Sequence, residues 1–474
     1  MKKLILRAGL FAGLMMTSFI VSADDIVNGV HGYTPKGYVA PKNPAVQAKL
    51  EWFRDQKLGF FVCLGLYSQL GIIESWALSD QDASWSRRKI DWTKDGELFK
   101  KQYWGLIRSF NPVCIEPDKW AALAADNGFK YLILSTKHHD GFCLWDSKYT
   151  TFKSTAPECP FATDPHADII RCVFDAFRKR NLGIAAYFSK PDWYNTDFWE
   201  DHGMGRRTTR MPTYNTRKNP AKWQKFRDYT RNQMLELAQN YGPFDIFWLD
   251  GGQVKSGSAL DINIEGIIAD VRKTLPGLIS VDRCGRNSCE DVITPEQTVP
   301  KSPIAVPWES CVTLSSSWAH AYEGDVKWKS TEEVIHLLMD IVAKGGNLAL
   351  GVAPRPDGRF PIPMIERINA LGAWLKKNGE AVYATRVMPP FRQDAFAFTR
   401  NPKTGAVYVT RLWKTGEETP AKLVVPVSAS TKVTKVTHLA SGANVPFRVV
   451  DGKVELTLPT GFKADTAADA FRFE

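Results

Sequence analysis

The sequence predicts an α/β protein: a (β/α)8-like, TIM-type barrel followed by a C-terminal antiparallel β-sandwich. First, apolar β-rich runs alternate with amphipathic helical patterns over about 330 residues, the pattern of a parallel sheet. Second, the texture changes near residue 385 to short alternating runs separated by turn residues. Third, no glycine-rich phosphate loop follows an early strand, which puts a closed barrel ahead of a doubly wound open sheet. The expected division is a signal segment over residues 1–23, a catalytic barrel over 24–384 and a sandwich over 385–474.

The chain opens on a targeting pattern. Lys2, Lys3 and Arg7 precede or flank an apolar stretch over 8–21, and Val21-Ser22-Ala23 supplies the small residues that a signal peptidase needs. No cysteine stands at the cleavage point, so lipid attachment lacks its residue. The expectation is an exported protein, periplasmic or secreted, with no membrane anchor after cleavage. The formal net charge is +10, and loss of the segment lowers it to about +7. No Lys/Arg blocks occur, so nucleic acid is not an expected partner.

Strands are predicted over 59–64, 131–136, 183–189, 244–250, 278–282 and 347–353. Helices are predicted between them over 120–127, 167–180, 221–239, 262–274 and 331–343. The first of these helices has Pro117-Asp118 ahead of it and Asn127-Gly128 at its end, a capped start and a left-handed stop. Beyond residue 385 the alternating runs are 407–409, 422–427, 433–439, 445–450, 453–458 and 471–473, with turns such as Ser441-Gly442 and Asp451-Gly452 between them. Eight cysteines, with no CxxC pair, argue against a zinc finger or a disulfide scaffold. Cys284 and Cys289 are the one candidate pair, and most of the others are expected to be buried thiols.

Chemistry gathers where predicted strands end. The run from Tyr131 leads into Lys137-His138-His139-Asp140-Gly141, and in parallel α/β proteins such strand ends line the active site. A neutral imidazole offers one donor and one acceptor to sugar hydroxyls. The run through Trp248 ends in Asp250-Gly251-Gly252, a carboxylate placed to attack a sugar carbon. Arg283 follows another strand, Glu296 lies in Thr294-Pro295-Glu296-Gln297, and Glu309 follows Trp308; both glutamates are expected in loops. Trp248, Trp308 and Trp318 offer flat surfaces for stacking on pyranose rings. Carboxylates, histidines, an arginine and aromatics without a metal cluster or phosphate loop suggest glycoside hydrolysis with no cofactor.

The chain resembles the retaining α-L-fucosidases of glycoside hydrolase family 29. The resemblance runs through Trp52-Phe53, Gly65-Leu66-Tyr67-Ser68, Phe110-Asn111-Pro112, Lys137–Phe142, Tyr187, Asp192-Trp193-Tyr194, Asp245–Gly251, Thr294–Gln297, Trp308-Glu309 and Gly345-Gly346-Asn347. It implies exo-acting double displacement on fucosylated or related oligosaccharides, with Asp250 as nucleophile. It further implies that His138 and His139 bind sugar hydroxyls and that Glu74, Trp76, Tyr187 and Arg283 line the pocket. Glu296, the favoured candidate, and Glu309 both fall on motif positions for the acid/base. Glu74-Ser75-Trp76 carries one residue more than the family's usual Glu-Trp. Where fucosidases read His-Trp in the first strand, this chain reads Cys63-Leu64. Loss of that hydrogen bond costs about 1–3 kcal/mol, so the pocket is expected to suit a variant sugar or fucoside. The alternative is a catalytically weak sugar-binding protein on the same barrel.

Overall fold

The computed structural model describes residues 37–83, 86, 95–322, 324, 326–427 and 433–474. The expected signal segment lies outside them. No helix among the described residues is long and apolar enough to cross a membrane.

The body is one curled parallel sheet of seven strands: β1 (Leu58–Val62), β2 (Tyr131–Lys137), β3 (Gly183–Ser189), β4 (Ile246–Asp250), β5 (Ile279–Asp282), β6 (Glu309–Thr313) and β7 (Asn347–Val352). Their order is β5-β4-β3-β2-β1-β7-β6, each strand parallel to its neighbours. β1–β3 are buried along their whole length, as a sheet covered on both faces requires. Side chains alternate between two cores. Phe61, Ile133, Ala185, Tyr187, Trp248 and Cys311 share the inner one, while Phe60, Val62, Leu132 and Phe247 join the helices outside.

Of the eight strands expected for a (β/α)8 barrel, seven regular ones form this sheet among the described residues. Between the β5 and β6 edges runs an irregular segment over 290–297, hydrogen-bonded to both. Asp291 N–H donates to Ser280 C=O at 2.9 Å on one side, and Glu309 N–H donates to Ile293 C=O at 2.9 Å on the other. β6 itself is a correction: Glu309 begins a strand and does not lie in a loop. Five residues reading ESCVT, buried on both faces, carry no alternation that would reveal them.

The predicted helices appear at α3 (Pro117–Asp126), α4 (Ile169–Lys179), α5 (Pro220–Asn240), α6 (Ile264–Thr274) and α7 (Thr331–Ala343), after α1 (Pro44–Gln56) and α2 (Gly96–Gly105). The last predicted helix agrees at both ends, and its start is fixed by the reciprocal capping box of Ser330 and Glu333. α8 (Ile362–Asn378), unforeseen, follows β7. Beyond it come a five-stranded and a three-stranded antiparallel sheet. Phe398, Val409 and Phe471 of the first share an apolar cluster with Leu423, Val454 and Leu456 of the second. Cys289 is a buried free thiol, so the expected Cys284–Cys289 pair is not formed.

Candidate active site

The carboxyl ends of the sheet converge on a cavity of about 270 Å³, lined by Glu74, Trp76, Tyr187, Asp250, Arg283 and Glu296 among others. Drug-sized ligands occupy about 300–1,000 Å³, so this space suits a single sugar ring. Asp250 is the last residue of β4, and Gly251 turns the chain away at once. Gly251 has φ +93°, and a Cβ there would lie 2.2 Å from the Pro191 ring, so only glycine fits. Gly141 plays the same part after the histidines: at φ +77° its missing Cβ leaves room for Asp192 Oδ1.

Asp250 accepts a hydrogen bond from Tyr187 OH at 2.9 Å and pairs with Arg283 Nη1 at 3.2 Å. His139 Nε2 lies 3.5 Å from its Oδ2. Burial alone would raise this carboxyl. Arg283, then His139, the Gly251 N–H and His138 outweigh it and hold the group well below the usual carboxylate range. Arg283 reaches on through Nη2 to Glu296, whose other oxygen accepts the Trp318 indole N–H at 2.9 Å. Burial and the Asp250 charge push Glu296 upward, yet the Arg283 contact dominates and leaves it lowered. One guanidinium therefore bridges the two carboxylates.

The two histidines differ. His138 gives Nδ1 to Ser75 Oγ and has Nε2 3.3 Å from Glu74; burial lowers its pKa, but Glu74 chiefly, with Asp140 and Asp250, raises it overall. His139 is fully buried with no hydrogen bond on either ring nitrogen. Burial, reinforced by the His138, Arg210 and Lys137 charges, drives its pKa well down, so the imidazole is neutral. An unpartnered neutral imidazole beside a cavity offers one donor and one acceptor to a ligand hydroxyl. Donor atoms of His138, His139 and Asp250 lie within 4.8 Å of one another. That spacing also suits a cation, but the His138 nitrogens are already taken by Ser75 and Glu74. Lys137 is spent in a buried pair with Asp192 at 2.8 Å.

The extra residue of Glu74-Ser75-Trp76 is absorbed locally. Glu74 takes a left-handed φ of 50°, so Glu74 and Trp76 both line the cavity while the Ser75 hydroxyl holds His138. Trp248 lines the cavity too, stacked on Tyr187 at 5.4 Å between ring centres.

Five expected site residues are not in the cavity wall, and two of them, His138 and His139, stand beside it against Glu74 and Asp250. Glu309, 1 % exposed, accepts the Trp248 indole N–H at 3.0 Å and the Tyr131 hydroxyl. Cys311, not Glu309, is level with Glu296 in the strand register and forms the cavity floor. Two residues of strand put Glu309 about 7 Å deeper, one side-chain layer down. Burial lifts its carboxyl to about 7. A raised pKa is what an acid catalyst needs, but Glu309 has the pKa without the access, and geometry takes precedence. Trp308 is buried in the outer core with its ring packed over Gly346. Cys63 lies under the pocket on the inner face, its thiol pushed up by burial and then by Glu74. Leu64 belongs to the outer core, so that position cannot meet a sugar. The sequence reading missed Phe61, Ile73, Arg210 and Cys311 as lining residues, and took Trp318 only as a flat surface although its N–H serves Glu296. Phe61 and Cys311 could have been found from their inward parity with Cys63 and Glu309; Arg210 comes from a long loop that carries no such signal.

The geometry has counterparts among known proteins. Human plasma alpha-L-fucosidase is 28% identical over 77% of this chain and 76% of its own length, and bovine tissue alpha-L-fucosidase is 29% identical over 82% and 79%. Among solved structures, alpha-L-fucosidase isoenzyme 1 from Paenibacillus thiaminolyticus superposes with a TM-score of 0.74 at 25% identity, covering 90% of this chain and 99% of that one. The Thermotoga maritima alpha-fucosidase gives 0.71 at 28% identity, covering 90% and 96%. A sequence model for alpha-L-fucosidase matches residues 28–380, a span that holds the entire parallel sheet and every residue of the cavity, and the chain therefore belongs to the α-L-fucosidase family.

Proposed function

We propose that the protein is an exo-acting, retaining α-L-fucosidase in which Asp250 is the nucleophile and Glu296 the acid/base. The observation that carries this is the Arg283 bridge: one guanidinium holds two carboxylates at the floor of a cavity sized for one sugar. Retaining enzymes need two carboxyl groups about 5 Å apart. Phe61, Ile73, Trp248 and Trp318 give the cavity an apolar side, which suits the methyl group of a 6-deoxy sugar.

In the first step Asp250 attacks the anomeric carbon while Glu296 gives its proton to the leaving oxygen. In the free protein Arg283 keeps Glu296 ionised. A sugar that fills the cavity and takes up part of the Arg283 contact raises Glu296 into the donating range, helped by the Asp250 charge. Once the ester forms, that charge is gone. Glu296 then falls back toward the ionised form, which is the base that the second step needs to activate water. His139 and Tyr187 hold ring hydroxyls and the nucleophile. The finer architecture belongs with this reading: 290–297 fills the eighth position of a barrel over residues 24–384, the two C-terminal sheets over 385–474 form a sandwich, and residues 1–23 export the chain to the periplasm or beyond.

Incubation with 2-deoxy-2-fluoro-α-L-fucosyl fluoride, followed by peptide mass spectrometry, tests the proposal. The expected result is an ester on Asp250, with NMR of aryl fucoside turnover giving the α-anomer first. A label on another residue, or a β-anomer first, overturns it.

A further inference from the structure

We infer that the mouth of the cavity carries a site for an oxyanion on the group to which the sugar is attached, and that Arg210 reads it. The inference rests on the fucosidase reading and names its substrate class: fucosides whose neighbouring unit bears a carboxylate or sulfate. Arg210 comes from the long connection between β3 and α5 and lines the cavity with its side chain 42 % exposed, where Arg283 on the floor is 12 % exposed. It is held at several points. Its backbone N–H and its Nε both donate to Asp82 Oδ2, at 3.3 and 2.9 Å. Its carbonyl accepts from Gln253, three residues past Asp250, at 3.2 Å. Its guanidinium lies 5.0 Å from the centre of a Trp76 ring.

An arginine fixed this way has already lost its side-chain freedom, so a ligand is not charged for it. Arg283 gives Nη1 to Asp250 and Nη2 to Glu296. Arg210 differs: among the described residues neither Nη finds an acceptor, so two N–H pairs face outward from a rigid base. That fork matches the paired oxygens of a carboxylate or sulfate. The connection that carries Arg210 is itself basic, although Asp82 faces its Nε and Glu74, Asp250 and Glu296 line the same cavity. Residues 199–218 hold five cations and two acids, and both acids are engaged by Arg206.

The test compares α-L-fucosides of 4-hydroxyphenylacetate and of its amide, whose methylene keeps the two phenols similar as leaving groups. A second pair, the sulfate ester and methyl ether of 4-hydroxybenzyl alcohol, separates carboxylate from sulfate. At low salt the wild type is expected to favour one or both charged members about tenfold in kcat/KM, the scale of one charge-assisted hydrogen bond. At 1 M salt, where the screening length is about 3 Å, the ratio should approach one. Arg210→Met keeps the stem on Trp76 and should bring the ratio to about one at any salt, with Arg210→Lys between, since it keeps the charge and loses the fork. A wild-type ratio of one in both pairs, or a ratio that survives Arg210→Met, overturns the inference. If Arg210→Met does not fold, the salt dependence and Arg210→Lys decide. Failure to hydrolyse even the amide would instead strike at the fucosidase reading, and the inference would fall with it.

Discussion

Glu296 and Glu309 stand 13 positions apart in the sequence, and the structure gives them opposite fates on mutation. Glu296→Ala removes the only one of the two that faces the cavity. Loss of a general acid/base costs about 10²–10⁴-fold, and the cost should depend on the leaving group. Fucosides of acidic phenols, which leave without a proton, should suffer little in the first step and stall in the second, where water needs a base. Azide needs none, so it should restore turnover and yield fucosyl azide. Glu309→Gln is expected to act on stability. Glu309 accepts two donors, from Trp248 and Tyr131, whereas a glutamine offers one oxygen, leaving one buried donor unpaired at about 1–3 kcal/mol. Its kcat/KM should change by less than about tenfold, through the Trp248 ring alone. The assay is steady-state kinetics on a series of aryl fucosides with and without azide, alongside urea denaturation. A folded Glu309→Gln protein that loses a hundredfold in activity, or azide rescue of Glu309→Ala but not of Glu296→Ala, would refute the placement.

Other outcomes follow from the same geometry. Arg283→Met leaves two neighbouring carboxylates without their shared cation, so kcat/KM should fall at least about tenfold; the acid limb of its pH profile should move upward, because burial of Asp250 is then opposed only by His139, the Gly251 N–H and His138. Glu309 makes stability pH-dependent. Its folded pKa of about 7 exceeds the ordinary 4.5, so the native state holds its proton longer and stability falls as pH rises from about 4.5 to about 7. Relative to Glu309→Gln, the wild type should lose about 3 kcal/mol over that window, measured by denaturant titration; a flat difference would contradict the buried, uncharged state. Cys63→His should raise activity on aryl fucosides about tenfold by restoring a donor near the sugar, while overpacking the inner core by about 1–3 kcal/mol. Leu64→Trp should add no activity, because that side chain faces the outer core. Kinetics and melting curves on the single variants check both, and an inactive but stable Cys63→His protein would deny position 63 a role in sugar binding.

The strand ends were legible from the chain because each announces itself locally. A buried run stops, and a polar residue with a glycine behind it begins a turn. That is why the chain alone points to Asp250, His138 and His139, with Tyr187 added by the family resemblance, and why β3 (Gly183–Ser189) agrees at both ends. The chain was silent where pairing is irregular. The segment over 290–297 joins two strand edges through scattered bridges, with no run of apolar residues to mark it. α8 (Ile362–Asn378) begins at Pro361-Ile362-Pro363, which reads as a loop.

By itself, then, the sequence determined six of the seven parallel strands, the helices between them, the nucleophile candidate and the histidine pair, since period and local turn chemistry are properties of neighbours along the chain. Only the tertiary structure decided which glutamate faces the cavity. That choice depends on a register, Glu296 level with Cys311 and Glu309 two residues below it, and on which way each side chain points from a curled sheet. The same is true of Arg283, whose role lies in touching two carboxylates from separate segments at once, and of Arg210, brought to the cavity by a loop anchored on Asp82 and Gln253. Distances between residues remote in sequence are fixed by packing, and no local pattern encodes them.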